Sequence, residues 1–120
     1  MSKKILIIDD EPDLIKALTV RLESEGYGIE TAGDGFEGLN KARTSEPDLI
    51  ILDLMLPKIN GFKVARLLKF DDNYKKIPII MLTARTEEQD KELGKETVGD
   101  VYMEKPYNEE ELLEAVGKLA

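Results

Sequence analysis

Several polar residues stand directly after short apolar runs. Asp9-Asp10 follows the run from Lys4 to Ile8, Asp53 follows Leu49 to Leu52, Thr83 follows Ile77 to Leu82, and Lys105 comes soon after Val101 to Met103. A short, uninterrupted apolar run bounded by breakers reads as a strand buried on both faces, so these residues mark strand exits. Taken singly they are ordinary. Asp53 reads equally well as a turn former, because Asp commonly bonds its own backbone in turns. Thr83 alone is a strand-end hydroxyl and Lys105 alone a surface lysine. Gathered at one edge, they would form a cup of three carboxylates, one hydroxyl and one ammonium. Two carboxylates ~5 Å apart repel by ~3 kcal/mol at an effective dielectric near 20, so such a cup needs cations. Lys105 supplies one positive charge and a divalent ion two more, which neutralises the three acids. Oxygen ligands without Cys or His select Mg²⁺, or Mn²⁺ in its place, and the chain contains neither Cys nor His. That arrangement suits phosphoryl transfer to a carboxylate. Asp53 would be the nucleophile, the ion and Lys105 would neutralise the transferring oxygens, and Thr83 would contact the phosphoryl group.

The elements that would position these residues alternate regularly. A strand at 4 to 8 leads to a helix from Pro12 to about residue 25, with Leu14, Leu18 and Leu22 on one stripe and Gly26 as its stop. Val20 lies opposite that stripe and Ile15 at its margin, so both are expected at the surface, where Ile15 could dock a partner helix. A polar strand at 28 to 32 precedes a helix to about 45, with Asp34 as N-cap and Glu37 three residues on. The third strand ends at Asp53 and is followed by breakers at Pro57 and Asn60-Gly61. The next helix, through Lys69, turns Phe62, Val64, Ala65 and Leu68 inward. A fourth strand at 77 to 82 is followed by a helix from the Thr86–Gln89 capping box to about 96. With Leu93 nearly its only anchor and Gly94 inside, that helix is weak, and weak elements are where switches are drawn from. A fifth strand at 101 to 103 and an Asn108-capped helix, with Leu112, Leu113, Val116 and Leu119 inward, complete the chain. Five strand–helix units imply a parallel sheet covered on both faces, with right-handed crossovers. Polar sites in such sheets gather beyond the carboxyl ends of the strands.

Composition narrows the function classes. The 120 residues are expected to form a single domain over 1–120, and 42% hydrophobic with 35% charged residues is an ordinary globular balance. A net charge of −8 argues against direct nucleic-acid binding by this domain. No run approaches the ~18 apolar residues of a membrane span, and the chain opens without a signal-peptide pattern. With no cysteine, a cytoplasmic location is expected.

The stretches IIDDEPD at 7–13, LILDLMLPKING within 49–61, IIMLTA at 79–84 and YMEKPY at 102–107 resemble the receiver domains of bacterial two-component response regulators. The likeness covers essentially the whole chain. It implies a flavodoxin-like three-layer α/β sandwich, with a five-stranded parallel sheet in order 2-1-3-4-5 and five helices. It further implies Asp53 as phosphoacceptor, Asp9 and Asp10 as the acidic pair holding Mg²⁺, and Met55 as donor of a backbone carbonyl to that ion. By the same likeness Thr83 follows the phosphoryl group, Lys105 pairs with it, and Tyr102 changes rotamer on activation. Lys105 precedes Pro106, and a cis bond there would aim the ammonium into the cup. Asn60 stands where the family often has Asp, a change that should preserve the turn. The implied partners are a sensor histidine kinase or a His phosphotransfer protein as donor, and a downstream protein or covalently attached effector domain as output. A phosphorylation-dependent dimer and slow autodephosphorylation are also implied, in a protein that is not a conventional enzyme.

Three other classes compete. A receiver-like module that binds partners without phosphorylation is disfavoured by the complete set of site residues. An aspartyl-nucleophile phosphatase would carry Asp-x-Asp after its first strand, and Asp9-Asp10-Glu11 lacks that spacing. A flavodoxin-like cofactor binder would need a Ser/Thr/Gly-rich phosphate loop after the same strand, which is absent.

Overall fold

Leu49 to Asp53 places five consecutive buried side chains in a row, the pattern of a strand covered on both faces. In the computed structural model, which describes residues 3–83, 100–105 and 107–120 (Thr83 through its backbone alone), this run is the central strand β3 (Leu49–Asp53). Strand β1 (Lys4–Ile8) pairs with it on one side and β4 (Ile79–Thr83) on the other. The edges are β2 (Gly28–Ala32) and β5 (Val101–Glu104), giving the order β2-β1-β3-β4-β5 with every pairing parallel. This is the sheet order implied by the receiver likeness.

Alternation along the strands divides the core in two. Leu6, Ile8, Ile50, Leu52, Ile79 and Met81 face one way and pack under α2 (Gly35–Ser45) and α3 (Gly61–Lys69). Ile5, Ile7, Leu49, Ile51, Ile80 and Leu82 face the other way, under α1 (Pro12–Ser24) and α4 (Glu109–Leu119). Each fully buried aliphatic side chain on these strands contributes about 1.5–3 kcal/mol over its exposed state. The three layers follow from this two-sided burial.

Three of the four described helices begin at a side-chain cap. Asp34 accepts from Glu37 N–H at 2.9 Å, Asn60 from Lys63 N–H at 2.9 Å and Asn108 from Glu111 N–H at 3.0 Å. Asn60 therefore keeps the turn, as expected. Glu37 returns a bond at 3.0 Å, but to Gly33 N–H rather than to the N–H of the cap residue itself. Helix α1 differs from the others. Its N-cap, Glu11, makes no side-chain cap bond, and Pro12 opens the helix.

Some expectations need correction. The fourth strand begins at Ile79 and not at Ile77, because Ile77 N–H donates back to Tyr74 in a turn and Pro78 has no N–H to give a ladder. Among the described residues there are four helices. The fifth, expected over 86–96 with its Thr86–Gln89 capping box, lies outside them. Val20 is 62% exposed as expected, but Ile15 is half-buried against the core under α1, so it is not a free surface side chain.

At the amino-terminal edge of the sheet, Lys69 at the end of α3 joins three segments. Its ammonium donates to Ile77 O at 2.9 Å and pairs with Asp100 at 2.8 Å. The same Asp100 oxygen accepts Ile79 N–H at 2.7 Å, which fixes the starts of β4 and β5 side by side.

Candidate functional site

Register brings the first acids together. Ile8 pairs with Leu52, so Asp9 and Asp53 are each the next residue along adjacent central strands. Both are almost wholly buried, at 1% and 3% exposure, whereas Asp10 is exposed. Asp9, Asp10 and Asp53 each offer a carboxylate oxygen within 4.8 Å of the others. Thr83 pairs with Glu104, one residue before Lys105, so β5 delivers Lys105 to the same edge.

The two buried acids are held alike. Asp9 Oδ1 accepts Glu11 N–H at 2.9 Å and Asp53 Oδ1 accepts Met55 N–H at 3.0 Å. These are the Asx-type turns that the residue type alone suggests. The turn-former and functional readings of Asp53 are therefore compatible, since one oxygen anchors the turn and the other faces the cup. Lys105 Nζ lies 3.0 Å from Asp9 Oδ2, 2.9 Å from Glu11 Oε1 and 3.4 Å from Asp53 Oδ2.

Burial pushes the Asp53 carboxyl above the usual carboxylate range, and the charge of Asp9 adds to this, against the opposing pull of Met55 N–H and Lys105. For Lys105, burial works against the charged form, but the bonds to Glu11 and Asp9 and the charge of Asp53 outweigh it and hold the ammonium above the ordinary lysine value. Lys105 is thus a fixed cation and Asp53 an acid whose charge is costly.

The loop after β3 is tightly constrained. Gly61 N–H donates to Leu54 O at 2.9 Å, and a Cβ on Gly61 would overlap the Asp53 carbonyl and lie 2.7 Å from Leu54 Cα. Ile59 N–H donates to Pro57 O at 2.8 Å across Lys58, whose φ is 68°. That is a γ-turn, a strained conformation for a residue with a side chain. Lys58 reaches Asp34 at 3.3 Å, tying this loop to the start of α2.

Of the residues singled out from the sequence, Asp9, Asp10, Asp53 and Lys105 come together. Met55 contributes its N–H to Asp53, with its side chain 62% exposed. Tyr102 is half-buried and packs against the core on the α2/α3 face. The Thr83 hydroxyl and the Lys105–Pro106 bond lie outside the described residues. Two neighbours went unnoticed in the sequence. Glu11 adds a fourth carboxylate, so the cup carries one negative charge even with Lys105 and a divalent ion. Tyr107 feels the site too: burial, Glu109 and Asp9 all raise its hydroxyl pKa. A glutamate at an N-cap, where Asp, Asn, Ser and Thr are preferred, was the available signal for Glu11.

The donor set fits a divalent ion with hard oxygen preference. Three carboxylates converge from two adjacent strand ends, and Asp10 is open to solvent for the waters that Mg²⁺ retains.

A five-stranded parallel sheet in this order, with a buried acid on its central strand beside two further acids and a lysine, is the architecture of a receiver-type α/β domain. The model of the response regulator receiver domain matches residues 5–117, and the chain belongs to this family of two-component receivers. It is 48% identical to the alkaline phosphatase synthesis transcriptional regulatory protein PhoP of Bacillus subtilis, over 93% of this chain and 46% of that protein. It is 43% identical to the DNA-binding response regulator MtrA of Mycolicibacterium smegmatis, over 97% of this chain and 50% of that one. The chain thus spans about half the length of these curated relatives. Among solved structures, a putative response regulator from Chloroflexus aurantiacus superposes with a TM-score of 0.90 at 30% identity, covering 99% of this chain and 98% of that one. The response regulator TrrA from Thermotoga maritima, in complex with Mg²⁺–BeF, gives 0.86 at 39% identity, covering 98% and 99%.

Proposed function

We propose that Asp53 accepts a phosphoryl group from a phosphohistidine on a sensor histidine kinase or His phosphotransfer protein, and that this switches a protein-interaction surface. The observation that carries this is the state of Asp53: an acid 3% exposed, with one oxygen fixed by Met55 N–H and the other 3.4 Å from the Lys105 ammonium. In the transfer, an Asp53 carboxylate oxygen attacks phosphorus, the bond to the donor nitrogen breaks, and an acyl phosphate forms. Lys105 neutralises an oxygen of the transferring group, and Met55 N–H holds the carboxylate in its attacking orientation. Asp9, Asp10, Asp53 and the Met55 carbonyl would hold Mg²⁺, or Mn²⁺, whose charge offsets that of the phosphoryl oxygens.

In this reading residues 1–120 are one receiver domain, with a fifth helix over 86–96 completing the sandwich. The Thr83 hydroxyl follows the phosphoryl group and Tyr102 repacks with that helix, a change suited to promoting a dimer. The domain acts as a switch that catalyses its own phosphorylation and slow dephosphorylation. Relatives whose names mark them as DNA-binding regulators support a cytoplasmic setting and an output carried by an attached effector domain or a downstream protein. Among the described residues no helix is long and apolar enough to cross a membrane.

Incubation with acetyl phosphate and Mg²⁺ should add one group of ~80 Da by intact-mass spectrometry, absent in Asp53→Asn and after chelation of the metal. An adduct that persists in Asp53→Asn would overturn the assignment.

A further inference from the structure

Helix α1 has an N-cap whose side chain does not cap. Asp34, Asn60 and Asn108 each bond an N–H of the first turn, whereas Glu11 makes no such bond. Its carboxylate instead reaches Lys105 Nζ at 2.9 Å, closer than the 3.4 Å from that ammonium to Asp53. The contact joins residues 94 positions apart. Glu11 therefore gives up a local bond that Asp or Asn would make and uses its extra methylene to reach across the cup.

We infer that Glu11 is a positioning residue that holds the Lys105 ammonium on the Asp9 side of the cup, away from Asp53, and so slows phosphoryl acceptance. The inference rests on the reading of Asp53 as phosphoacceptor. Lys105 has three carboxylates around it and three N–H bonds to give. Two of these go to Asp9 and Glu11 at hydrogen-bond length, and Asp53 receives the weakest contact. For Lys105 to neutralise a group arriving on Asp53, its ammonium must move toward Asp53, and the bond to Glu11 opposes that movement. The Glu11 side chain is 59% exposed, so water screens the pair and the restraint is modest. Its backbone N–H, not its side chain, supports Asp9. A side-chain substitution therefore leaves that acid anchored.

Two variants separate pairing from charge. Glu11→Gln is nearly isosteric and neutral. Glu11→Asp keeps the charge but is one methylene shorter, so it cannot hold the same bond and can cap α1 instead. Both should take phosphate from acetyl phosphate about two- to fivefold faster than the parent chain, the range of one solvent-screened surface ion pair. In metal-free crystals of both variants the Lys105–Asp53 separation should shorten from 3.4 Å to about 2.8 Å. A merely structural role for Glu11 would instead lower thermal stability in both, whereas the vacated cap should leave Glu11→Asp at least as stable as the parent. If the parent acquires phosphate on Asp53 and both variants match its rate and geometry, the inference is wrong. Acceleration in Glu11→Gln with parental behaviour in Glu11→Asp would also overturn it, because charge alone would then act. Failure of the parent to acquire phosphate would instead reject the assignment of Asp53, a separate outcome.

Discussion

Gly61 offers a perturbation whose size follows from the coordinates. Its φ lies outside the left-handed region, so backbone freedom does not explain the glycine; the close approach of the Asp53–Leu54 backbone does. A methyl on Gly61 would sit 2.7 Å from Leu54 Cα and closer still to the Asp53 carbonyl oxygen, and the atoms in the way are main chain with no rotamer to change. Reaching the 3.4 Å of ordinary contact takes about 0.7 Å at Leu54 Cα and more at the Asp53 carbonyl oxygen, a shift that displaces the turn holding Asp53. Overpacking of this kind costs about 2–3 kcal/mol, which lowers Tm by about 10 °C in a domain of this size. A displacement approaching 1 Å at a reacting group also costs up to about a hundredfold in rate. Gly61→Ala should therefore lose stability and, in the fraction that remains folded, accept phosphate from acetyl phosphate at least tenfold more slowly. Gly117→Ala is the matched control, because a Cβ there meets open space in α4 and should stabilise by about 0.5–1 kcal/mol. Differential scanning calorimetry with phosphorylation kinetics on both variants gives the test. A Gly61→Ala protein with parental Tm and parental rate would refute the reasoning.

Two further expectations concern charge. The folded pKa of Asp53 is raised above its unfolded value, so the folded state binds the proton more tightly, and its contribution to stability falls as pH rises through the interval from the unfolded to the folded pKa. In EDTA, Asp53→Asn should be more stable than the parent at pH 7 by urea unfolding, with the difference shrinking toward pH 4; equal stability throughout would contradict the burial argument. At the opposite sheet edge, Lys69→Met breaks the 2.8 Å pair with Asp100 and the 2.9 Å bond to Ile77 O. With Lys69 largely buried and Asp100 partly exposed, that should cost about 1–2 kcal/mol in urea unfolding and leave the phosphorylation rate unaltered.

How much of this was legible in the chain depended on the range of the interactions. Runs such as Leu49–Leu52 announce buried strands because the period of the pattern and the environment coincide, and Asp34, Asn60 and Asn108 announce helix starts because a cap is a local bond. β4 starts at Ile79 rather than at the Ile77 that the apolar run suggests, because apolar character continues through Pro78 while the ladder hydrogen bonding does not. Asp9, Asp53 and Lys105 could be placed at one edge from topology. Their individual contacts could not, since the partner of Glu11 lies 94 residues away and no local pattern encodes that pairing. Gly61 was legible as a helix start, but the reason for its missing side chain is a tertiary approach. The positive φ of Lys58 was equally hidden, since the breakers at Pro57 and Gly61 mark a turn without specifying which residue bears its strain.

The most direct measurement maps the phosphate to a residue. An acyl phosphate on aspartate is reduced by borohydride to homoserine, a change of about −14 Da at that residue in peptide mass spectra. After reaction with acetyl phosphate and Mg²⁺, the expected result is homoserine at position 53 and nowhere else, abolished by EDTA. Reduction at Asp9 or Asp10, or an unreduced residue 53 in a chain that carries phosphate, would contradict Asp53 as the phosphoacceptor.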